Sequence, residues 1–211
     1  MRLFALTATV LLIAGCTTVS TESSDFAASD SVDSTQPYAL DYALAQPIFD
    51  QYYTCGEHRA GELPYIGDAL GADCTIQKLE EIDGRTFARM YSGDGDANEN
   101  WYGWAQDVLS PCSGEVTKVA VNATTNEPGV LGEPPATFVI VKREDGVHFL
   151  LAHLDDLAVE AGDRVTVGQE IGVVGNNGYG RTPHVHIGAW HGETPLQIRF
   201  DLKSNSGHVA L

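Results

Sequence analysis

His184 and His186 are the residues of this sequence whose type and spacing point most directly to chemistry. They stand in the run HVHIGAW, which follows the alternating pattern of a β-strand. Because successive side chains of a strand point to opposite faces, both imidazoles share one face, with Cβ atoms about 7 Å apart. At that spacing one imidazole can bind a divalent metal while the other faces a substrate.

A third histidine, His153, lies at the end of another apolar run. Predicted strands at 137–142 and 147–153 flank a turn at 144–146, which indicates an antiparallel hairpin. From 159 to 178, glycine-containing turns alternate with aliphatic residues, as in the tightly bent strands of a small barrel or sandwich. These strands are the elements that must bring the three imidazoles together.

The composition of the 211-residue chain limits what such strands can build. This length allows one ordinary domain with appendages. Hydrophobic residues make up 43%, enough for a core, while 22 glycines and 9 prolines favour a turn-rich β fold over a helical bundle. The sequence therefore predicts an all-β fold, mainly an antiparallel sheet forming a small β-sandwich or a barrel-like groove.

The charge balance excludes one class of partner. Twelve basic residues against 29 acidic ones give a formal net charge of -17. Such a chain repels the phosphates of nucleic acids instead of releasing their counterions, so nucleic-acid binding is not expected.

The first residues have the features of an export signal. A positive start, an apolar stretch and the lipobox-like LIAGC at 12–16 predict a signal peptide over 1–15 and lipidation at Cys16. The polar residues that follow favour a flexible tether over 16–46. Thr17 after the cysteine resembles Gram-negative lipoproteins delivered to the outer membrane. We therefore expect a lipid-anchored cell-envelope protein on the periplasmic face of the outer membrane.

Three further cysteines are expected in an oxidising compartment. A disulfide between Cys55 and Cys74 is favoured because it closes a short loop, which stabilises by roughly 3 kcal/mol. Cys112 is left over and is expected to be a buried thiol or a turn residue. This disulfide falls in a segment, 47–95, that the sequence predicts to be an irregular N-terminal extension.

Three motifs in the second half of the chain resemble the lysostaphin/LytM-type zinc peptidases, whose fold is a duplicated hybrid motif. They are AHL at 152–154, GDRVTVGQEIGVVG at 162–175 and PHVH at 183–186. The run SPCSGEVTKV at 110–119 is similar to the family's APxxGxV hairpin. The resemblance implies a peptidase domain over 96–211, built as an antiparallel β groove.

The resemblance also implies roles for the three histidines. His186 corresponds to a zinc ligand, and His184 and His153 correspond to the catalytic pair. Zinc would polarise the scissile carbonyl and lower the pKa of its water, with the imidazoles transferring protons. The family's usual substrate is a peptide bond in peptidoglycan.

The sequence departs from the family at the HxxxD motif, which supplies the other two zinc ligands. The corresponding region, 83–104, contains no histidine, and Met90 stands about where the aspartate is expected. Because a catalytic zinc usually needs three protein ligands, substitutes are required. Asp94 and Asp96, on a turn-rich loop near the required position, are the predicted replacements.

Other substitutes lie further upstream. His58, with Glu62 four residues later, sits within the predicted disulfide loop and is too early for the family's strand order. Asp68 and Asp73 are further acidic candidates with no motif of their own.

Two functions remain open. The first is an active zinc endopeptidase that cleaves peptidoglycan cross-links, with Tyr179 and Arg181 ahead of the His-x-His strand binding substrate. The second is a catalytically degenerate relative that binds peptidoglycan or regulates a cell-wall amidase. The retained histidines favour the first, and the missing HxxxD favours the second.

Overall fold

The computed structural model describes residues 41–59, 62–63, 65–201 and 203. The predicted signal peptide, Cys16 and most of the predicted tether lie outside these residues and stay predictions. The described residues form fourteen strands and one turn of 3-10 helix, Asn98–Asn100. These elements confirm the predicted all-β fold. In the part of the chain that the structure describes, no helix is long and apolar enough to cross a membrane.

The strands, in chain order, are β1 (Tyr42–Ala45), β2 (Tyr53–Glu57), β3 (Ala72–Ile76), β4 (Lys78–Ile82), β5 (Arg85–Arg89), β6 (Asp107–Leu109), β7 (Gly114–Ala120), β8 (Phe138–Lys142), β9 (Val147–Ala152), β10 (Leu154–Asp155), β11 (Arg164–Val165), β12 (Glu170–Val174), β13 (Val185–His191) and β14 (Thr194–Phe200).

The main sheet has the order β1-β14-β13-β9-β8-β7-β11, and β2 and β3 extend it from β13. Strand β1 is parallel to β14, and the other pairs are antiparallel. Strands β8 and β9 form the predicted hairpin. One edge of β13 pairs with β9, and the other pairs with β3 over Val185–Ile187 and then with β14 over Ala189–His191. Strand β13 is thus central to the sheet.

Alternation along β8 and β9 separates a core face from a groove face. Val139 and Val141 of β8 and Phe149 and Leu151 of β9 are fully buried, each contributing roughly 1.5–3 kcal/mol through burial of its side chain. Residues between them, such as Leu150, face a groove. Outside the main sheet, β10-β12-β6 form a three-stranded sheet and β4-β5 a separate hairpin.

The segment before residue 96 adds strands β1, β2 and β3 to the main sheet, which the sequence does not predict. Strand β1 lies within the predicted tether, with Ala43 and Ala45 buried, so the folded part begins earlier than the predicted boundary at 47. Strands β2 to β5 occupy the predicted irregular extension. The physical reason is that β14 and β13 supply partners for β1 and β3, and such distant pairing leaves no local pattern.

The predicted disulfide is confirmed. Cys55 and Cys74 are directly opposite each other on β2 and β3 and are joined by a bond between their sulfurs. Cys112 is a buried free thiol, and its burial raises its pKa to about 11.

Candidate metal centre and groove

The structure brings the three predicted histidines together at the groove face of the main sheet. His184 immediately precedes β13, His186 lies on β13 opposite Ala152, and His153 follows the end of β9. The ring centroids of His153 and His184 are 4.5 Å apart, and those of His153 and His186 are 6.4 Å apart. All three side chains are buried.

His153 is held in a left-handed backbone conformation, with φ of 65°. This conformation is unfavourable for a residue other than glycine, and such strain is concentrated at functional sites. The carbonyl oxygen of Asn177 lies 2.7 Å from Nδ1 of His153, and the amide of Asn177 donates to the carbonyl of Leu154. Since a carbonyl only accepts, Nδ1 carries the proton and Nε2 keeps a free lone pair.

His184 is oriented in the same way. Its Nδ1 lies 2.6 Å from the carbonyl oxygen of Thr182, which again leaves Nε2 unprotonated in the neutral ring. Burial, reinforced by the charge of His184, lowers the pKa of His153 to about 3. His153 is therefore neutral at ordinary pH.

The metal-ligand candidates beside His186 are His58 and Asp73. Nε2 of His58 lies 3.1 Å from Oδ1 of Asp73 and 3.3 Å from Nδ1 of His186, and that Nδ1 lies 3.0 Å from the same oxygen. Nε2 of His184 is 3.7 Å from Oδ1 of Asp73. The cluster of three ligand atoms therefore adjoins the two catalytic candidates.

The donor set and its spacing fit zinc. Two imidazole nitrogens and one carboxylate oxygen are ligands that zinc accepts, and a tetrahedral site with bonds of about 2.0 Å separates its ligand atoms by roughly 3.3 Å. The observed separations of 3.0–3.3 Å match that value. Three protein ligands also leave a fourth position free, as in a catalytic zinc site.

The charges of Asp73 and His186 depend on each other and on their neighbours. Burial of the Asp73 carboxyl opposes ionisation, but a hydrogen bond from His186 and the charges of His184, His186 and His58 hold its pKa well below the usual range. Burial also opposes a charge on His186, but Asp68 and Asp73 outweigh it and raise the pKa of His186 to about 9. A metal at this site must therefore displace a proton from His186.

The hairpin β2-β3 explains how His58 and Asp73 reach β13. Asp73 pairs with His186 across the β3–β13 ladder and with Gly56 across β2. The backbone N–H of His58 donates to the carbonyl of Gly71 at 2.9 Å, which fixes His58 against the start of β3. A side chain at position 71 would bring its Cβ within 2.6 Å of the His186 ring, so only glycine fits there.

Asp94 and Asp96, the predicted replacement ligands, are not part of this cluster. Both are exposed and neither lines the groove. Their segment is held by the bridge between Tyr91 and Trp101 and by the indole N–H of Trp101 bonded to Gly95. The structure places His58 and Asp73 beside His186 instead, because β3 and not this turn pairs with β13.

The available signal for His58 and Asp73 was the disulfide loop itself. The disulfide closes the stretch 55–74 of the sequence, which contains a histidine and two aspartates, Asp68 and Asp73. The family's strand order argued against His58, and nothing in the local pattern of β3 indicated β13 as its partner.

The groove beside the cluster has a volume of about 1210 Å³. Its floor is largely apolar and includes Phe138, Ile140 and Leu150. Tyr179 and Arg181, predicted to bind substrate, both line it; Tyr179 is 62% exposed, and Arg181 donates to the carbonyl of Gly129 at 3.4 Å. Both side chains stand where a substrate in the groove could meet them, and their role stays a prediction.

Comparison with known proteins confirms the resemblance read from the sequence. Residues 103–198 match the model of peptidase family M23, a family of metallopeptidases. His153, His184 and His186 lie inside the matched segment, whereas His58 and Asp73 lie outside it. None of the curated proteins matches the chain.

Three solved structures are examples of the proteins to which this chain is similar. A SpoIIIAH–SpoIIQ complex gives 30% identity over 45% of this chain and 61% of that chain, less than two thirds of its length, with a TM-score of 0.37. The catalytic domain of lysostaphin from Staphylococcus simulans is 20% identical over 69% of this chain and 88% of that chain, with a TM-score of 0.42. The catalytic domain of the prophage-encoded M23 protein EnpA from Enterococcus faecalis, in a mutant form, is 17% identical over 75% of this chain and 95% of that chain, with a TM-score of 0.44.

Proposed function

We propose that this protein is a zinc-dependent endopeptidase that cleaves peptide cross-links of peptidoglycan. One observation carries the proposal: ligand atoms of His58, Asp73 and His186 lie within 3.3 Å of one another, beside two oriented imidazoles and an open groove. The match of residues 103–198 to a metallopeptidase family supports the reaction class.

The chain's own residues have distinct tasks in this proposal. His58, Asp73 and His186 hold the metal, which when bound lowers the pKa of a water molecule and polarises a carbonyl oxygen. His153 and His184 both line the groove, and in their neutral forms the Nδ1 hydrogen bonds leave Nε2 unprotonated. One of them accepts the proton of the attacking water and returns it to the departing amine.

The groove is suited to an extended peptide. Its apolar floor accepts short aliphatic side chains, and Tyr179 and Arg181 at its margin provide donors for a developing oxyanion or a substrate carboxylate. Peptidoglycan peptides combine these two features, and the lysostaphin/LytM resemblance favours them as the substrate.

The proposed location is the cell envelope. The apolar run and LIAGC at 12–16 support signal cleavage and lipidation at Cys16, which would anchor the protein to the periplasmic face of the outer membrane. Radiolabelled palmitate incorporated by the wild type and not by Cys16→Ala is the expected result. Equal labelling of both proteins would refute lipidation at this site.

A second function is favoured by one observation. The HxxxD ligands are missing from the region where the family carries them, and this supports a non-catalytic protein that binds peptidoglycan or regulates a cell-wall amidase. Such a protein would use the same groove without a metal.

Digestion of purified sacculi separates the two functions. The wild type, loaded with zinc, is expected to release new muropeptides, and His184→Ala is expected to release none. His191→Ala is the control, because His191 is exposed and does not line the groove. If the wild type leaves the muropeptide profile unchanged and contains no zinc by elemental analysis, the endopeptidase proposal fails and binding to sacculi becomes the function to measure.

A further inference from the structure

Asp68 is brought to the metal cluster by a tightly anchored turn. Its backbone N–H donates to the carbonyl of Tyr65 at 2.9 Å, and its carbonyl accepts from Gly71 at 3.0 Å. The preceding residue, Gly67, packs so closely on β13 that a Cβ at Gly188 would overlap its carbonyl. The position of Asp68 is therefore fixed by backbone contacts on both sides.

The Asp68 carboxylate faces the imidazole nitrogen that the cluster does not use. Oδ1 of Asp68 lies 3.0 Å from Nε2 of His186, with the two side chains 22% and 6% exposed. The distance is that of an ion pair, but the oxygen is off the N–H direction, so the buried Nε2 has no aligned acceptor within the described part of the chain.

The contact with Asp68 affects which nitrogen of the His186 ring carries a proton. A neutral ring carries one proton, either on Nδ1 or on Nε2, and only the unprotonated nitrogen binds a metal. Nδ1 of His186 faces His58 and Asp73. Without a metal, Nδ1 donates to the carboxylate of Asp73. A metal at the cluster would displace that proton, and the carboxylate beside Nε2 would then hold the remaining proton there and leave the lone pair of Nδ1 directed at the cluster, as carboxylates behind metal-bound histidines do.

We propose that Asp68 is a positioning residue that fixes the tautomer and orientation of His186, so that Nδ1 serves as a metal ligand. This inference rests on the proposed function for the identity of the metal. It concerns a residue outside the family-matched segment, carried by the same disulfide-closed loop as His58 and Asp73.

Zinc affinity of the full chain tests the inference. Titration with Zn²⁺ against a chromogenic chelator is expected to show affinity reduced 10- to 100-fold in Asp68→Ala, the usual loss when such a carboxylate is removed. Asp68→Glu should recover part of it, since the carboxylate is kept. Asp94→Ala is the control, because Asp94 is exposed and outside the cluster, and its affinity should equal that of the wild type.

A metal-free readout separates this inference from the proposed function. The orientation of the His186 ring in crystals of the metal-free protein gives this readout. Nδ1 should face Asp73 in the wild type, and the ring should turn or become disordered in Asp68→Ala, because Nε2 has lost the carboxylate beside it. If the ring has the same orientation in both proteins, the inference is wrong, whatever the zinc titration shows. If the orientation changes while the wild type binds no zinc, the positioning role stands and the metallopeptidase proposal fails. Asp68→Asn serves if Asp68→Ala does not fold.

Discussion

At the scale of single residues, the proposed function assigns metal binding and proton transfer to different histidines. His153 and His184 each donate through Nδ1 to a backbone carbonyl, while His186 directs Nδ1 at Asp73. Identical side chains thus receive different roles from the backbone groups and carboxylates around them. The left-handed backbone at His153 is part of this arrangement, because it turns the ring toward His184 at the end of β9.

Replacement of His153 should remove catalysis and spare metal binding. In His153→Asn, the amide tolerates the left-handed backbone and keeps a donor for Asn177, but it offers no base. We expect kcat to fall about 10²- to 10⁴-fold, the usual contribution of a positioned base. Zinc affinity by titration should stay at the wild-type level. A variant with full activity would exclude His153 as a base.

The same variant should change the pH dependence of stability. The pKa of His153 is about 3 in the folded chain, against an ordinary value of 6.5. Between these values the unfolded chain takes up a proton that the folded chain does not, so the free energy of unfolding falls as pH falls from 6.5 toward 3. The slope from this group approaches about 1.4 kcal/mol per pH unit.

Urea unfolding of the metal-free protein between pH 4 and 7 measures this effect. The difference in free energy of unfolding between wild type and His153→Asn should change with pH in that range, while the contributions of Asp73 and His186 are common to both proteins. A difference that is constant with pH would contradict a buried neutral His153.

At the scale of elements, hairpin β2-β3 and the residue after β2 supply two of the proposed ligands, His58 and Asp73, which lie outside the family-matched segment. The disulfide between Cys55 and Cys74 is adjacent to Asp73 and three residues from His58. It joins the two strands at the point where one pairs with β13. The disulfide therefore ties together the two strands that position the proposed ligands His58 and Asp73.

Removing this disulfide should weaken both the fold and the metal site. The double variant Cys55→Ala/Cys74→Ala should lose about 3 kcal/mol of stability, the chain-entropy value for a loop of this length. Its zinc affinity should fall by roughly tenfold or more, about 1.4 kcal/mol, because His58 is no longer tied to Asp73. Cys112→Ala, which removes the free thiol, should leave zinc affinity unchanged. Equal zinc affinity with and without the disulfide would contradict this prediction and would show that the hydrogen bonds of the hairpin are enough to hold His58 beside Asp73.

A single methyl group on β13 should have a similar effect. In Gly188→Ala, the new Cβ would overlap the carbonyl of Gly67, so the turn bearing Asp68 must move. We expect a loss of roughly 1–3 kcal/mol, as for other overpacked sites, together with weaker zinc binding. Gly56→Ala is the matched control, since a Cβ there meets nothing within 4 Å. Chemical denaturation and zinc titration of both variants measure these effects. Equal stability and equal zinc affinity of Gly188→Ala and Gly56→Ala would contradict the prediction.

At the scale of the whole molecule, the sequence predicted the parts that depend on local pattern. Hairpin β8-β9, strand β13 and the gathering of three histidines follow from alternation, a turn and the family resemblance. The Cys55–Cys74 pair follows from loop length. The proposed ligand Asp73 could not be predicted in this way, because its contact with His186 joins residues 113 positions apart across a ladder with no local signal. Asp94 and Asp96 were predicted from their position along the chain, and they are not among the residues that cluster with His186.

The net charge of -17 affects how the metal site must be measured. A strongly acidic surface attracts divalent cations without binding them at one place. Zinc content alone is therefore insufficient, and the variants must remove ligands without greatly altering the overall charge.

The most direct test of the central claim is zinc stoichiometry and affinity, by titration of the full chain, for four proteins: wild type, His58→Ala, Asp73→Asn and the double variant Asp94→Asn/Asp96→Asn. Our account predicts one tightly bound zinc per chain in the wild type and in the double variant, and at least about 100-fold weaker binding in His58→Ala and Asp73→Asn, a loss of about 2.7 kcal/mol or more. A wild type without tight zinc, or His58 and Asp73 variants that keep it, would contradict a metal centre built from the disulfide-closed hairpin.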